Sequence, residues 1–182
     1  MRTLVLGGIR SGKSRWAEEA IATSLPPGQP VRYLAPALAG HSDVAWADRV
    51  ERHRDRRPPH WSTVETDDVT AQLRQEPGTP TLVDDLGGWL TGTLDRNDAW
   101  DDGSVAAPVR ETIEAMLDAV SRFGSTLVLV SPEVGLTVVP ATTSGRRFAD
   151  ELGSLNQRLA ALCDRVVLVV AGQAVQINPS GT

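Results

Sequence analysis

A glycine-rich segment near the N-terminus constrains this chain more than any other feature. Residues 7–14 read Gly-Gly-Ile-Arg-Ser-Gly-Lys-Ser, between an apolar run and a stretch with helical periodicity. The spacing G-x-x-x-x-G-K-[S/T] is typical of a loop whose backbone amides surround phosphate oxygens at the start of a helix. A chance match in a chain of this length is rarer than about one in a hundred. The segment therefore predicts a phosphate-binding loop, and a glycine turn without a ligand is the alternative.

The residues of this phosphate loop have separate roles in binding a nucleoside triphosphate. The glycines permit a tight turn whose amides point at the phosphates, and we expect contacts from Gly7, Gly8, Ile9, Arg10, Ser11 and Gly12. Lys13 would reach the β and γ phosphates, and the Ser14 hydroxyl would bind Mg²⁺. Lys13 is the only lysine among 18 Lys and Arg residues. The chain therefore uses a compact ammonium group at the phosphate-contacting position, where a guanidinium would not substitute, and arginine everywhere else.

The hydrophobic pattern alternates short apolar runs with longer amphipathic stretches, which is typical of a mostly parallel sheet flanked by helices. Strands are predicted at 2–7, 31–35, 81–84, 125–131, 165–170 and 174–177, and helices at 12–23, 43–56, 105–122 and 146–163. The acidic run 95–104 is interpreted as a solvated loop, with a substrate lid as the alternative. With the phosphate loop, this pattern predicts one α/β domain of the P-loop NTPase type over residues 1–182.

Composition excludes several classes of protein. The net charge of −5 and the pI near 5.2 give no general attraction for nucleic acid or an anionic membrane. The apolar runs are too short for a signal sequence or a membrane span. Cys163 is the only cysteine, which rules out an internal disulfide, and its place in an apolar helical pattern indicates core packing. We therefore expect a cytoplasmic protein.

An acidic residue near the metal is the usual partner of a phosphate loop. Asp84 and Asp85 directly follow the apolar run 81–83. Strand alternation sends them to opposite faces, so we expect only Asp84 to reach Mg²⁺, with Asp85 as a helix N-cap or a surface turn residue. Glu133 follows another predicted strand, where a ligand contact and a simple strand end are equally good interpretations.

A basic segment at residues 48–61 holds five arginines around His53 and ends in Pro58-Pro59. The neighbouring cations disfavour protonation, so we expect a neutral imidazole whose lone pair is free to attack phosphorus. A solvated basic helix is the alternative that charge alone favours. His60, between proline and tryptophan, is interpreted as a structural turn residue.

Four segments together carry a resemblance to a known family. They are G-G-I-R-S-G-K-S (7–14), R-V-E-R-H-R-D-R-R-P-P-H-W (49–61), S-P-E-V-G-L-T-V-V-P (131–140) and R-R-F-A-D-E-L-G-S-L-N-Q-R-L-A (146–160). Over residues 2–177 the chain resembles the bifunctional adenosylcobinamide kinase/adenosylcobinamide-phosphate guanylyltransferase family of cobalamin biosynthesis. The resemblance implies phosphorylation of adenosylcobinamide, followed by transfer of GMP from GTP through a guanylylated histidine. The alternatives are a P-loop small-molecule kinase without guanylyl transfer and a non-catalytic nucleotide-binding subunit.

The resemblance also implies roles for individual residues. His53 would be the histidine that carries GMP, Asp84 the acid at the end of its strand, and Glu65 the carboxylate that pairs with guanine. Further nucleotide contacts are implied for Leu34, Ala35, Pro36, Arg54, Asp55, Arg56 and Arg57. A RecA-like fold, a homotrimer, Mg²⁺ and ATP or GTP as substrates are implied in the same way.

The chain departs from the family pattern at four positions. Ala45 and Ala141 stand where glutamate is common, Pro36 replaces a threonine, and Pro132 replaces an asparagine. We expect all four to lie away from the phosphate loop and from His53. The departures therefore concern contacts with the substrate more than nucleotide binding itself.

Overall fold

Short runs rich in valine and leucine form the central strands of one sheet, since strands covered on both faces are largely apolar. The computed structural model describes residues 1–36, 57–101 and 107–178. The strands are β1 (Arg2–Gly7), β2 (Arg32–Pro36), β3 (Ser62–Thr66), β4 (Thr81–Asp84), β5 (Leu127–Pro132), β6 (Arg165–Val170) and β7 (Gln173–Gln176). The helices in these ranges are α1 (Lys13–Ser24), α2 (Val69–Gln75), α3 (Leu86–Arg96), α4 (Ala107–Ser121) and α5 (Thr143–Leu162).

The strands form a sheet in the order β3-β2-β4-β5-β1-β6-β7. Neighbouring strands are parallel, except that β7 runs antiparallel to β6. The carboxyl ends of β1, β2, β4 and β5 therefore meet at one edge of the sheet, where ligands collect in open α/β folds. The mostly parallel sheet flanked by helices that the sequence predicts is confirmed.

Each face of the sheet has its own apolar core. Val5, Leu82 and Val167 pack on one face against Ala17 and Ile21 of α1. On the other face, strand residues such as Leu4, Val83 and Leu129 pack against α2, α3, α4 and α5. Cys163 belongs to this second core, as predicted, and burial raises the pKa of its thiol to about 12. None of the described helices is both long and apolar enough to cross a membrane.

Most predicted elements occur within a residue or two of their predicted bounds, and three elements went unpredicted. β3 reads Ser-Thr-Val-Glu-Thr and lies at the sheet edge, where a strand needs little apolar surface. α2 is short, and α3 contains three glycines and two threonines, so local propensity argues against a helix there. The predicted helix 43–56 lies outside the described residues. The predicted loop 95–104 is wrong at its start, because α3 continues to Arg96.

A buried polar contact joins α5 to the end of β5. The Ser131 hydroxyl donates to Asn156 Oδ1 at 2.6 Å, and Asn156 Nδ2 donates to the Pro132 carbonyl oxygen at 3.0 Å. Ser131 is fully buried and Asn156 is 5% exposed. Water therefore has no access to the bond between Ser131 and Asn156, and the two hydrogen bonds together tie the helix to the strand that neighbours β1.

We predict that Asn156→Ala lowers the free energy of unfolding by about 2 kcal/mol, because it leaves the buried Ser131 hydroxyl without its partner and removes the donor to the Pro132 carbonyl. Denaturant titration of both proteins measures the difference. The matched control is Gln157→Ala, one residue along the same helix and exposed, which should change stability by less than about 0.5 kcal/mol. Equal effects of the two substitutions would show that the buried contact contributes nothing specific.

Candidate active site

The phosphate loop begins where β1 ends, at Gly7, and leads into α1 at Lys13. Residues 8–10 form its exposed tip, and the Ser11 amide donates to the Gly8 carbonyl at 3.3 Å. Arg10 and Gly12 have positive φ values of 56° and 94°. The chain thus turns sharply between strand and helix, as the glycine spacing predicts.

Gly7 has no room for a side chain. A Cβ atom at this position would lie 2.5 Å from Ser11 Oγ and 2.7 Å from the Val169 carbonyl oxygen. Both distances are well inside van der Waals contact. The first glycine of the motif is therefore required by the close approach of the loop to itself and to β6.

The start of α1 is open to an anion. Its N-cap, Gly12, makes no side-chain hydrogen bond, and the first turn carries no acidic residue. The first amide N–H groups of a helix have no partner within the helix, and they carry partial positive charge. Lys13 and Ser14, both half-buried, are the first two residues of the helix. The structure therefore places the lysine and the hydroxyl beside free backbone donors.

Asp84 lies at the carboxyl end of β4, on the face that α1 covers. Leu82 packs in the α1-side core, and alternation along the strand puts Asp84 on the same side. The hydroxyl of Tyr33 on β2 donates to Asp84 Oδ2 at 2.5 Å. Burial, and then the charge of Asp84, raise the pKa of Tyr33 above its ordinary value, so its proton stays on the hydroxyl. Asp84 is thereby held by a buried donor from the neighbouring strand.

Asp85 caps α3. Its Oδ1 accepts a hydrogen bond from the Gly88 amide at 2.8 Å, which confirms the N-cap interpretation. Burial and then the negative charge of Asp84 raise the pKa of Asp85, while the amides of Gly88 and Gly87 and the charge of Lys13 oppose this shift. The charges of both Lys13 and Asp84 therefore act on Asp85, although its carboxylate already accepts a hydrogen bond from the start of α3.

Arg57, in the basic segment, contacts Tyr33, the tyrosine whose hydroxyl donates to Asp84. Its guanidinium stacks over the Tyr33 ring, with Cζ 3.4 Å from the ring centroid, and Nη1 donates to Thr63 Oγ1 at 2.8 Å. Of the other predicted residues in this segment, His53, Arg54, Asp55 and Arg56 lie outside the described residues. Arg57 is thus the one member of the basic segment whose position near Asp84 is described.

The remaining predicted contacts lie on β2 and β3. Leu34 is fully buried and Pro36 is buried, whereas Ala35 is half-buried. Glu65 pairs with Ala35 across the two strands and is exposed at the sheet edge. Glu65 and Ala35 therefore lie side by side near the carboxyl edge. The exposure of the Glu65 carboxylate is compatible with both interpretations, recognition of the guanine base and an ordinary surface residue.

Pro132 corrects one expectation from the sequence. It pairs with Gly7 between β5 and β1, and a Cβ atom on Gly87 would lie 2.8 Å from its ring. The prediction that all four departures lie away from the phosphate loop is wrong for this residue. The two positions are far apart in the chain, and only strand pairing brings them together. Glu133, next to it, accepts a hydrogen bond from the Gly135 amide at 2.6 Å and so closes the turn after β5.

Sequence reasoning missed Tyr33 as a site residue. It is the only tyrosine in the chain and lies in an apolar strand. A buried tyrosine hydroxyl needs a hydrogen-bond partner. That requirement is a signal for a polar contact at this edge of the sheet, but it does not identify Asp84 as the partner.

A solved structure with a similar fold is the assembled ATPase EscN from the enteropathogenic E. coli type III secretion system. The likeness has a TM-score of 0.53 with 10% sequence identity and covers 93% of this chain. This chain spans 43% of the length of the ATPase. At this level of identity the likeness shows the fold alone.

Sequence comparison identifies much nearer relatives. The bifunctional adenosylcobalamin biosynthesis protein CobP of Pseudomonas aeruginosa is 43% identical over 175 residues, which are 94% of each chain. The bifunctional adenosylcobalamin biosynthesis protein CobU of Salmonella typhimurium is 36% identical and covers 98% of this chain and 100% of its own. Residues 3–177 also match the family model described as cobinamide kinase / cobinamide phosphate guanyltransferase. The chain therefore belongs to the cobinamide kinase / cobinamide phosphate guanyltransferase family.

Proposed function

We propose that this protein phosphorylates the aminopropanol hydroxyl of adenosylcobinamide with a nucleoside triphosphate and then transfers GMP from GTP to that phosphate, forming adenosylcobinamide-GDP. The observation that carries the first step is the open start of α1, where Lys13 and Ser14 lie beside free backbone amides. The family match over residues 3–177 supports the choice of substrate and the second step.

Phosphoryl transfer needs stabilisation of negative charge more than covalent chemistry. The amides of the phosphate loop and the N-terminus of α1 bind the triphosphate oxygens. Lys13 adds a full positive charge at the phosphate that is transferred. These donors are held by β1 and α1 before the nucleotide arrives, so little reorganisation is needed during the reaction.

Mg²⁺ fits the oxygen donors at this edge of the sheet. Ser14 and Asp84 offer a hydroxyl and a carboxylate, and Mg²⁺ takes one or two such protein ligands together with water and phosphate. Among the described residues no group of three or more His, Cys, Asp or Glu is arranged to hold a metal ion. We propose that the ion binds together with the triphosphate, whose charge it neutralises, with Ser14 and Asp84 as its protein ligands.

Guanylyl transfer is proposed to proceed through His53. Its neutral imidazole attacks the α-phosphorus of GTP, a P–N bond forms, and pyrophosphate leaves. A phosphate oxygen of adenosylcobinamide phosphate then attacks the same phosphorus, the P–N bond breaks, and the imidazole is regenerated. Arg54, Arg56 and Arg57 would bind the triphosphate and stabilise the leaving pyrophosphate. Of these arginines, Arg57 stacks on Tyr33, whose hydroxyl donates to Asp84.

Assembly and location complete the proposal. We propose a cytoplasmic homotrimer, because family resemblance favours three copies and the nucleoside triphosphates are found in the cytoplasm. The small-molecule partners are adenosylcobinamide and its phosphate. The alternatives remain a kinase that does not transfer GMP and a subunit that binds nucleotide without turnover. These candidates differ in their products, which makes product analysis the direct test.

Two substitutions should separate the two reactions. With adenosylcobinamide, GTP and Mg²⁺, the native protein should yield adenosylcobinamide-GDP, and His53→Ala should accumulate adenosylcobinamide phosphate because the phosphate loop is intact. Lys13→Ala should slow phosphorylation by at least about a hundredfold, since it removes charge from the transition state. Chromatography and mass spectrometry of the corrinoid products measure both effects.

Matched controls accompany these variants. His60→Ala removes an exposed histidine outside the proposed site, and Arg15→Ala removes an exposed cation of α1 that pairs with Glu19. Both controls should form adenosylcobinamide-GDP at close to the native rate. Native-like product formation by Lys13→Ala would refute the phosphate-loop mechanism. Continued guanylyl transfer by His53→Ala would remove that histidine from the pathway.

Glu65 provides a test of base recognition. We predict that Glu65→Gln weakens GTP binding about tenfold and leaves ATP binding unchanged, because the carboxylate accepts two guanine donors that adenine lacks. Calorimetric titration with each nucleotide gives the ratio of the Kd for GTP to the Kd for ATP. Asp67→Asn, which neutralises a nearby exposed acid, should leave the ratio as it is. Equal losses for the two nucleotides in Glu65→Gln would exclude this role.

A further inference from the structure

The turn between β6 and β7 is an unusually tight connection close to the phosphate loop. Val170 and Gln173 pair across the hairpin, so only Ala171 and Gly172 connect the strands. Both residues have positive φ values, 50° and 77°. Positive φ at both central residues is the requirement of a type I′ hairpin turn. The backbone at Gly172 is therefore fixed in a conformation that few residues adopt.

This turn holds the phosphate loop through its backbone. The Gly172 amide donates to the Ser11 carbonyl oxygen at 2.8 Å. A Cβ atom on Gly12 would lie 3.2 Å from the Gly172 Cα, so the two glycines are in close contact. At the other end of the loop, a Cβ atom on Gly7 would lie 2.7 Å from the Val169 carbonyl oxygen, which with Ser11 Oγ leaves no room for a side chain there. Both ends of the phosphate loop thus contact the end of β6 or the turn that follows it.

The hydrogen bond sets the direction of a phosphate-binding group. Ser11 C=O and Gly12 N–H belong to one planar trans peptide unit, in which the two groups point in opposite directions. Because the Ser11 carbonyl points at Gly172, the Gly12 N–H points away from the hairpin. The Gly12 amide is one of the donors expected to bind phosphate, and it precedes Lys13 by one residue.

We propose that the hairpin turn is a positioning element for nucleotide binding, in which the Gly172 amide holds the Ser11–Gly12 peptide in its phosphate-binding orientation. The proposal rests on the proposed function, because it requires that the loop binds a triphosphate. Gly172 touches no phosphate itself and acts through Ser11. Loss of the hydrogen bond between Gly172 and Ser11 should weaken nucleotide binding more than it lowers the stability of the fold.

The open surroundings of Gly172 make a clean test possible. A Cβ atom there would meet nothing within 4 Å, so the main effect of a substitution is on the backbone preference. Asparagine tolerates positive φ, alanine tolerates it less well, and the β-branched valine disfavours it strongly. The series Gly172→Asn, Gly172→Ala and Gly172→Val therefore applies increasing strain to the turn.

Gly28 is the matched control. Its φ is 79°, and a Cβ atom there would also meet nothing within 4 Å. It lies four residues beyond the C-terminus of α1, whose 12 residues span about 18 Å from the phosphate loop. Gly28→Val therefore imposes the same local strain at a site remote from the phosphates.

The experiment measures the Kd of each protein for guanosine 5′-(α,β-methylene)triphosphate with Mg²⁺, an analogue that cannot release pyrophosphate. We expect a rise of about tenfold for Gly172→Val, equivalent to about one hydrogen bond, a smaller rise for Gly172→Ala, and less than about twofold for Gly172→Asn. Gly28→Val should bind within about twofold of the native protein, with a similar loss of Tm to Gly172→Val.

The outcomes distinguish the possible failures. Unchanged Kd in both Gly172→Val and Gly172→Ala, or an equal rise in Gly28→Val, would overturn the positioning role. If Gly172→Val does not fold, the milder Gly172→Ala still decides between a shift in Kd and a shift in Tm alone. A native protein that does not bind the analogue would instead refute the proposed function on which this inference rests.

Discussion

The close approach of backbones at the end of β1 is the constraint on which the rest of the site depends. Gly7 pairs with Pro132 on one side and Val169 on the other, and it has no space for a Cβ atom. A parallel strand held between two neighbours fixes the point at which its loop leaves the sheet. The loop then has one path into α1, with Lys13 at the start of that helix. Backbone packing inside the sheet thus fixes the position at which the proposed phosphate-binding loop starts.

A second set of contacts extends the site across β4 and β2. Tyr33 donates to Asp84 and lies beneath the guanidinium of Arg57. These contacts link Asp84, at the carboxyl end of β4, through Tyr33 to the last arginine of the basic segment. Under the proposed function, phosphorylation and guanylyl transfer would use groups at one edge of the sheet.

The sequence predicted those parts of the structure that depend on local pattern. The phosphate loop is a contiguous motif, and the buried strands have apolar centres, so the sequence predicts both. β3 is polar because it lies at the sheet edge, and α3 forms despite its glycines because Asp85 caps it and Trp89 and Leu90 are buried. Contacts such as Tyr33 with Asp84, or Gly172 with Ser11, join distant parts of the chain, and no local pattern contains them.

The central claim is that one P-loop protein both transfers a phosphoryl group and carries GMP on its own histidine. The most direct test is mass spectrometry of the intact protein and its peptides after incubation with GTP and Mg²⁺ without a corrinoid. The account predicts a covalent GMP adduct on the peptide that contains His53, labile in acid and stable in base as a phosphoramidate is. The absence of an adduct, or an acid-stable adduct on a serine or lysine, would contradict it.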